Sequence, residues 1–275
     1  MSHSCRVCHS GNVVKRFDKK ALTYYTCKEC GLIFLINNAN PNFENTLTDF
    51  EPAYLSYFSE NPANTRNRRQ LLSWIEKYSP GTEKRILDVG AGSGSFVRFL
   101  RAKGLNAQGL EPSSTLYDQF LKQDSFFTQA TPEQFAASDK VGLFDVITTI
   151  DVIEHTEDPV SFLMAIHSLL RPGGFLFIST PDTSSLHRRL TGKYWHYYNR
   201  YHLSLFSKRT LIGLAEKNGL ILKEARYQAR YFTLSYLIQY FQNFLLGKKK
   251  AGVSTSQRTI SLNLFDISYF VFEKK

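Results

Sequence analysis

Cysteine is missing after residue 30 of this 275-residue chain, and no uninterrupted apolar run approaches the roughly twenty residues that cross a bilayer. Any cysteine chemistry is therefore confined to the N-terminus, and a helical membrane-spanning protein is excluded. The opening residues, Met1-Ser2-His3-Ser4-Cys5-Arg6, lead into cysteines where a secretory signal would carry an apolar core, so a cytoplasmic chain is expected. Acidic residues are the minority, 24 against 34 basic ones, for a formal charge of +10. Such a surplus admits an acidic partner: nucleic acid, an anionic membrane surface or a phosphorylated substrate. Long basic runs are lacking, however. The densest groups are Arg66 with Arg68-Arg69, His187-Arg188-Arg189 and Lys248-Lys249-Lys250, all short of a nucleic-acid arm. Scattered solvated charge, with no strong nucleic-acid signal, is the reading. A hydrophobic content of 43% and a charged content of 21% are those of a soluble globular protein, long enough for one α/β core plus a small module.

The four cysteines form two pairs, Cys5-x-x-Cys8 and Cys27-x-x-Cys30-Gly31. Each pair turns two thiolates toward one centre, and two such knuckles complete a tetrahedron around Zn²⁺. Asn12 to Phe17 and Leu22 to Thr26 read as the strands of a hairpin between them. A segment this small buries too little apolar surface to fold alone, so a structural zinc would supply the folding free energy. Two disulfides conflict with the missing signal peptide. A redox C-x-x-C conflicts with there being two pairs and no βαβ pattern around them.

The rest of the chain is organised around Arg85-Ile86-Leu87-Asp88-Val89-Gly90-Ala91-Gly92-Ser93-Gly94-Ser95-Phe96. A β-branched apolar run ends in three glycines at alternate positions, and an amphipathic segment from Phe96 to Ala102 follows at once. This is a buried strand, a tight turn and a helix start, the first unit of a doubly wound α/β sheet. The turn calls for positive φ, and a ligand must lie against bare backbone. A dinucleotide fold would place its third glycine where Ser95 stands. Asp88 at the strand end instead suits a ligand carrying an ammonium group. About twenty residues on, a second strand, Ala107 to Pro112, ends in Glu111, whose carboxylate can accept from both ribose hydroxyls of a nucleoside.

With these residues the chain resembles the class I S-adenosylmethionine-dependent methyltransferases. Downstream, Phe144 to Ile150 reads as the fourth strand, opening onto Asp151-Val152-Ile153-Glu154-His155-Thr156-Glu157-Asp158-Pro159. A helix from Val160 to Leu170 stops at Arg171-Pro172-Gly173-Gly174, and Phe175 to Thr180 is the fifth strand. That succession matches the family over roughly residues 85 to 182. The resemblance implies an α/β fold: a Rossmann-like seven-stranded sheet with helices on both faces, preceded here by the small zinc ribbon. It further implies S-adenosyl-L-methionine as cofactor, bound by Asp88, Gly90, Ala91, Gly92, Gly94, Glu111, Pro112, Thr131 and Asp151, with Thr131 where similar enzymes contact the adenine. Asp151-x-x-Glu154-His155 resembles the E-x-x-E-H triplet that binds a divalent cation in the ubiquinone-biosynthesis O-methyltransferases, so a second cation is a minor expectation. Asp151 departs from it by one methylene.

The expected organisation is a ribbon over 1–35, a linker and helix (Arg66 to Tyr78) over 36–80, and a methyltransferase domain over 81–275. Within the last, 183–206 and 231–258 are lid or insert segments. Leu220 to Tyr227 is the sixth strand, and Ile260 to Phe272 supplies an antiparallel last strand. Tyr54-Leu55-Ser56-Tyr57-Phe58 packs the linker or covers the cofactor. Methyl transfer is an in-line displacement that needs alignment above all, and a base only where the acceptor must lose a proton. His155, just past the fourth strand, is the candidate base. Substrate choice falls to His187, Tyr194, Trp195, His196, Tyr197, Tyr198 and His202, either as pocket lining or as lid packing. The expected acceptor is a small molecule, through a hydroxyl of a sugar or polysaccharide precursor or of a quinone-like ring. A ribbon ahead of such a domain resembles bacterial enzymes acting on nucleotide-linked sugars. The alternative is a non-catalytic cofactor-binding protein whose ribbon recognises nucleic acid or protein. Tyr231 to Leu246 carries apolar residues at helical spacing ahead of three lysines, which fits packing, or a peripheral contact of 231–250 with the inner membrane face. Oligomeric state leaves no mark in the sequence.

Overall fold

The computed structural model describes residues 4–36, 61–138, 142–238 and 257–275. At the N-terminus β1 (Val13–Lys19), β2 (Leu22–Cys27) and β3 (Ile33–Ile36) pair in antiparallel succession. Helix α1 (Pro62–Tyr78) follows. Its Asn61 side chain caps the first turn by accepting from Asn64 N, and Pro62 occupies the first turn, where its missing N–H costs nothing. The strand–helix units come next: β4 (Arg85–Val89), α2 (Ser95–Arg101), β5 (Asn106–Leu110), β6 (Phe127–Thr128), α3 (Pro132–Ala136), β7 (Phe144–Ile150), α4 (Pro159–Leu169) and β8 (Leu170–Pro181). The remainder holds α5 (Leu186–Thr191), β9 (Ser204–Leu205), α6 (Lys208–Lys217), β10 (Leu220–Tyr227), β11 (Arg230–Thr233), β12 (Thr259–Leu262) and β13 (Ile267–Lys274).

Seven strands make the main sheet in the order β10-β13-β8-β7-β4-β5-β6. The strands from β8 to β6 run parallel, while β13 lies antiparallel between β8 and β10. Succession outward from β4 reverses at β7, so the crevice beyond the carboxyl ends of β4 and β7 is the topological switch point. The central strands are buried on both faces, and their residues alternate between two cores. Ile86, Val146, Phe177 and Val271 face Trp74 and Ile75 of α1 and Val97 and Leu100 of α2. Leu87, Ile147, Ile178 and Phe270 face Phe162 and Ile166 of α4 and Leu211 of α6.

The same second core takes in Cys5, Cys27, Leu32 and Phe34, so the cysteine-bearing segment is packed on the sheet domain rather than tethered to it. β9, from the stretch expected to be an irregular lid, pairs with β3 and becomes the fourth strand of the N-terminal sheet. Trp195 and Tyr198, candidates for lining a pocket, are fully buried in a third cluster with Tyr24, Ile33 and Leu35. Lys19 Nζ ties the two segments by donating to the carbonyls of Trp195 (3.0 Å) and Tyr198 (2.8 Å).

Several boundaries differ from the sequence reading, among them the start of α1 at Pro62 where Arg66 was expected. β8 starts at Leu170, which pairs with Phe144 of β7, and the Arg-Pro-Gly-Gly stretch bulges out before pairing resumes at Phe175 opposite Val146. The single strand expected from Ile260 to Phe272 is two, β12 and β13, separated at Asn263 to Asp266. Tyr231 and Phe232, expected on a helix, lie in β11, whose partner β12 is close to thirty residues further along. The aromatic cluster Tyr54 to Phe58 and the lysines 248–250 lie outside the described residues, as does most of 231–258. Among the described residues no helix is long and apolar enough to cross a membrane.

Candidate active site

The glycine loop leaves β4 and enters α2 with Gly90, Gly92 and Gly94 all at positive φ (77°, 55° and 75°), as the turn was expected to require. Two of them also leave no room for a side chain. A Cβ on Gly90 would stand 2.5 Å from Val152, and one on Gly94 would stand 2.4 Å from Phe127. Gly90 N and Ala91 N both donate to Leu110 O, which fastens the loop to the end of β5.

Glu111 follows immediately and is 4% exposed. Its two carboxylate oxygens accept from Gly92 N (2.9 Å) and Ser113 N (3.0 Å). Burial outweighs these bonds and pushes the carboxyl up to about 7. Asp88, at the end of β4, is likewise buried and pushed up to about 7, although it accepts from Thr148 Oγ1 at 2.6 Å. Two desolvated carboxyls therefore flank one glycine loop without a cation on either among the described residues. Each retains acceptor capacity, since a carboxylate offers about four lone-pair sites. Pro112 is exposed, and Thr131 caps α3 in a reciprocal capping box with Gln134.

On the other side of the switch point, β7 ends in Asp151, which adopts φ 57°. The Arg230 guanidinium holds Asp151 from both sides, Nη1 to Oδ2 at 2.8 Å and Nη2 to Oδ1 at 2.9 Å, while Ser179 Oγ donates to Oδ1. Burial raises this carboxyl, but the charge and hydrogen bonds of Arg230 prevail and hold it below the usual carboxylate range. Glu154, 1% exposed, accepts from Thr180 Oγ1 and is driven up to about 8 by burial and by the charge of Asp151. His155 Nδ1–H donates to Tyr201 O at 2.9 Å, which assigns the ring's lone pair to Nε2, and burial lowers its pKa. His202 Nδ1–H donates to Tyr197 O at 2.7 Å, and its ring meets that of His155 edge-on at 4.8 Å.

The triplet Asp151, Glu154 and His155 does not converge. Glu154 and His155 gather with His202 instead, their donor atoms lying within 4.8 Å of one another, while Asp151 is turned to Arg230. Arg230 carried no signal in the sequence, because it reaches Asp151 across 79 residues from a two-stranded ladder. Thr148 carried only a weak one, as one of three buried polar residues, with Asp145 and Thr149, in β7.

Cys5, Cys8, Cys27 and Cys30 are free thiols whose sulfurs gather within 4.8 Å. Cys5 and Cys30 stand 3.5 Å apart and Cys8 and Cys27 3.4 Å. That is far longer than the ~2.05 Å of a disulfide. It is close to the spacing of thiolates bound at ~2.3 Å around one ion. Cys30 O accepts from Thr210 Oγ1 of α6 at 2.7 Å.

A family model described as a methyltransferase domain matches residues 63–224. The chain belongs to that family. Among curated relatives, the ubiquinone biosynthesis O-methyltransferase of Aromatoleum aromaticum is 34% identical over 117 residues, covering 40% of this chain and 49% of the relative. The protein of the same description from Aeromonas salmonicida is 38% identical over 116 residues, 40% and 48% of the two chains. The match thus spans about half the length of these relatives. Solved structures share the fold at low identity. The 1,6-didemethyltoxoflavin-N1-methyltransferase of Burkholderia thailandensis, solved with its substrate and S-adenosylhomocysteine, superposes with a TM-score of 0.54 at 13% identity, covering 95% of this chain and 99% of that one. Magnesium protoporphyrin IX methyltransferase of Synechocystis, with bound S-adenosylhomocysteine, gives 0.55 at 12% identity, covering 85% and 96%.

Proposed function

We propose that this methyltransferase moves a methyl group from S-adenosylmethionine to a small-molecule acceptor, through a hydroxyl of a sugar or polysaccharide precursor or of a quinone-like ring. The carrying observation is Glu111. A buried carboxylate, braced by two backbone amides beside a bare glycine turn, is an acceptor prepared for two donors on one ligand, as ribose hydroxyls are. Asp88 offers a second acceptor on the same loop, suited to an ammonium group. Gly90, Ala91, Gly92 and Gly94 give backbone access, while Thr131 and Pro112 edge the base-binding side. Such residues fit the cofactor, which when bound supplies an activated methyl group on its sulfonium.

The chain's own part is alignment, exclusion of water and removal of one proton. Alignment alone accounts for about 7–11 kcal/mol of barrier lowering in well-oriented reactions. His155 is the base in this reading. Its Nδ1–H is committed to Tyr201 O, so Nε2 can take the proton of an acceptor hydroxyl. The hydroxyl class of acceptor is supported by the relatives named as ubiquinone O-methyltransferases. The cysteine cluster is assigned one structural zinc on its tetrathiol donor set.

Isothermal titration with S-adenosylhomocysteine, then a methyl-transfer assay over nucleotide-linked sugars and hydroxylated quinone precursors, tests the assignment. Saturable binding with transfer to one panel class is expected. Binding with no transfer to any hydroxyl acceptor would sink the acceptor class, and failure to bind would sink the cofactor site.

A further inference from the structure

Beyond the end of β8 a second group of ligating side chains adjoins the His155–His202 pair, with the Tyr197 ring between them, 3.9 Å from that of His196 and 5.5 Å from that of His202. Asp266 precedes β13 and is 5% exposed. Its carbonyl accepts from Asp182 N at 2.8 Å, which pins the turn against the end of β8. Asp266 Oδ2 lies 2.8 Å from Nδ1 of His187 on α5. The ring of His196 sits 5.7 Å from that of His187, and donor atoms of all three residues fall within 4.8 Å of one another. His187 is partly exposed and His196 is exposed, so the cluster opens to solvent on one side and rests on a buried carboxylate on the other.

We infer that His187, His196 and Asp266 form a binding site for a divalent transition-metal ion of the zinc class, separate from the cysteine cluster. Two imidazoles and one carboxylate are the donor set that first-row ions such as Zn²⁺ or Co²⁺ prefer, whereas Mg²⁺ and Ca²⁺ favour oxygen alone. The 2.8 Å between His187 Nδ1 and Asp266 Oδ2 is a hydrogen-bond distance, and it would widen to about 3.4 Å with both donors ~2.1 Å from one tetrahedral ion. Without the ion, the imidazole proton takes its place by donating to the carboxylate; with it, that proton is released to solvent. Three protein donors leave at least one position of a tetrahedral ion open, for water or an oxygen of a bound acceptor. The three ligands come from α5, the loop after it and the turn before β13, so the ion would cross-link segments of the chain about eighty residues apart.

The test uses the full chain purified with its thiolates already filled by zinc and stripped of loosely held metal on a chelating resin. Titration with Co²⁺, followed by calorimetry and visible absorption, should give one saturable equivalent. Its spectrum should hold ligand-field bands without the intense thiolate charge-transfer band that cobalt among the cysteines would add. His196→Ala, a change at an exposed position, and His187→Ala should each weaken uptake at least tenfold while far-UV circular dichroism is unchanged. Absence of a saturable equivalent would overturn the site. So would uptake that neither variant weakens, or uptake bearing the thiolate band. Asp266→Asn provides a third arm: weaker binding supports direct ligation, and unchanged affinity overturns it.

Discussion

Replacing Glu111 by alanine strips two acceptors at once from a place that water reaches poorly. In the native chain its oxygens take the amides of Gly92 and Ser113. Left unpaired, each amide costs about 1–3 kcal/mol, so the two together should cost the variant roughly 2–6 kcal/mol of stability where nothing offsets it. An offset exists, and it depends on pH. The folded carboxyl titrates at about 7, above its ordinary value of 4.5. The folded chain therefore binds more protons than the unfolded chain between those values, and the group's contribution to stability is full below pH 4.5 and lost as pH rises through 7. That loss in the wild type is on the order of 3 kcal/mol. Alanine removes it, so the variant should be clearly destabilised at pH 5, and its deficit should shrink by roughly 2–3 kcal/mol at pH 8. Cofactor binding behaves differently, because the ionised carboxylate is the better acceptor. Affinity of the wild type for S-adenosylhomocysteine should rise with pH through 7. The variant should bind about 10- to 150-fold more weakly at pH 8, the equivalent of roughly 1.5–3 kcal/mol. Denaturant melts at the two pH values, with calorimetric titration at pH 8, read both effects. A stability difference that stays constant between pH 5 and 8 would refute the burial argument, and an unchanged Kd would refute the ribose assignment.

His155→Gln should lower kcat by about 10²- to 10⁴-fold with S-adenosylhomocysteine affinity retained; loss of that affinity would point to loop structure rather than proton transfer. Cys27→Ser should abolish thiolate-held zinc and lower the melting temperature of the whole chain, because Cys27 lies in the core shared with α4 and α6. An unshifted main transition in calorimetry would contradict that shared core. Gly94→Ala forces a Cβ into Phe127 and Leu121 at positive φ, and a cost of about 2 kcal/mol or more is expected in denaturant melts. Trp195→Ala should cost about 3–5 kcal/mol with S-adenosylhomocysteine affinity intact; a stable variant with altered acceptor KM would return Trp195 to a pocket.

β4, β7 and β10 coincide with the strands expected from the sequence: β4 and β7 are mainly apolar runs beside glycine, and Asn218-Gly219 marks where β10 opens. The glycines and Glu111 were legible for a related reason: local backbone geometry dictates their spacing. What escaped depends on partners far along the chain. β3 and β9 have four and two residues, too few for a periodic signal; β3 pairs along its length with β2, and β9 is a strand only through its pairing with β3. Aromatic density in 183–206 was equally compatible with lining a pocket and with filling a core, and Trp195 and Tyr198 went to the core. Asp151 and Glu154 had the expected neighbourhood, yet Arg230 and His202 decide which groups converge, and neither stands near them in sequence.

The union of β3 with β9 also bears on how the chain is made. Lys19 finds its carbonyl partners 176 and 179 residues further on. At ribosomal speeds of about 5–20 residues per second, the N-terminal hairpin waits roughly ten to thirty-five seconds for the strand and the indole that cover it. Throughout that interval β3 is an unpaired edge, and Tyr24, Ile33 and Leu35 have no lid. Prompt capture of metal by the two knuckles would hold the hairpin in its final register while the rest of the chain is synthesised, making zinc supply a determinant of yield as much as of stability.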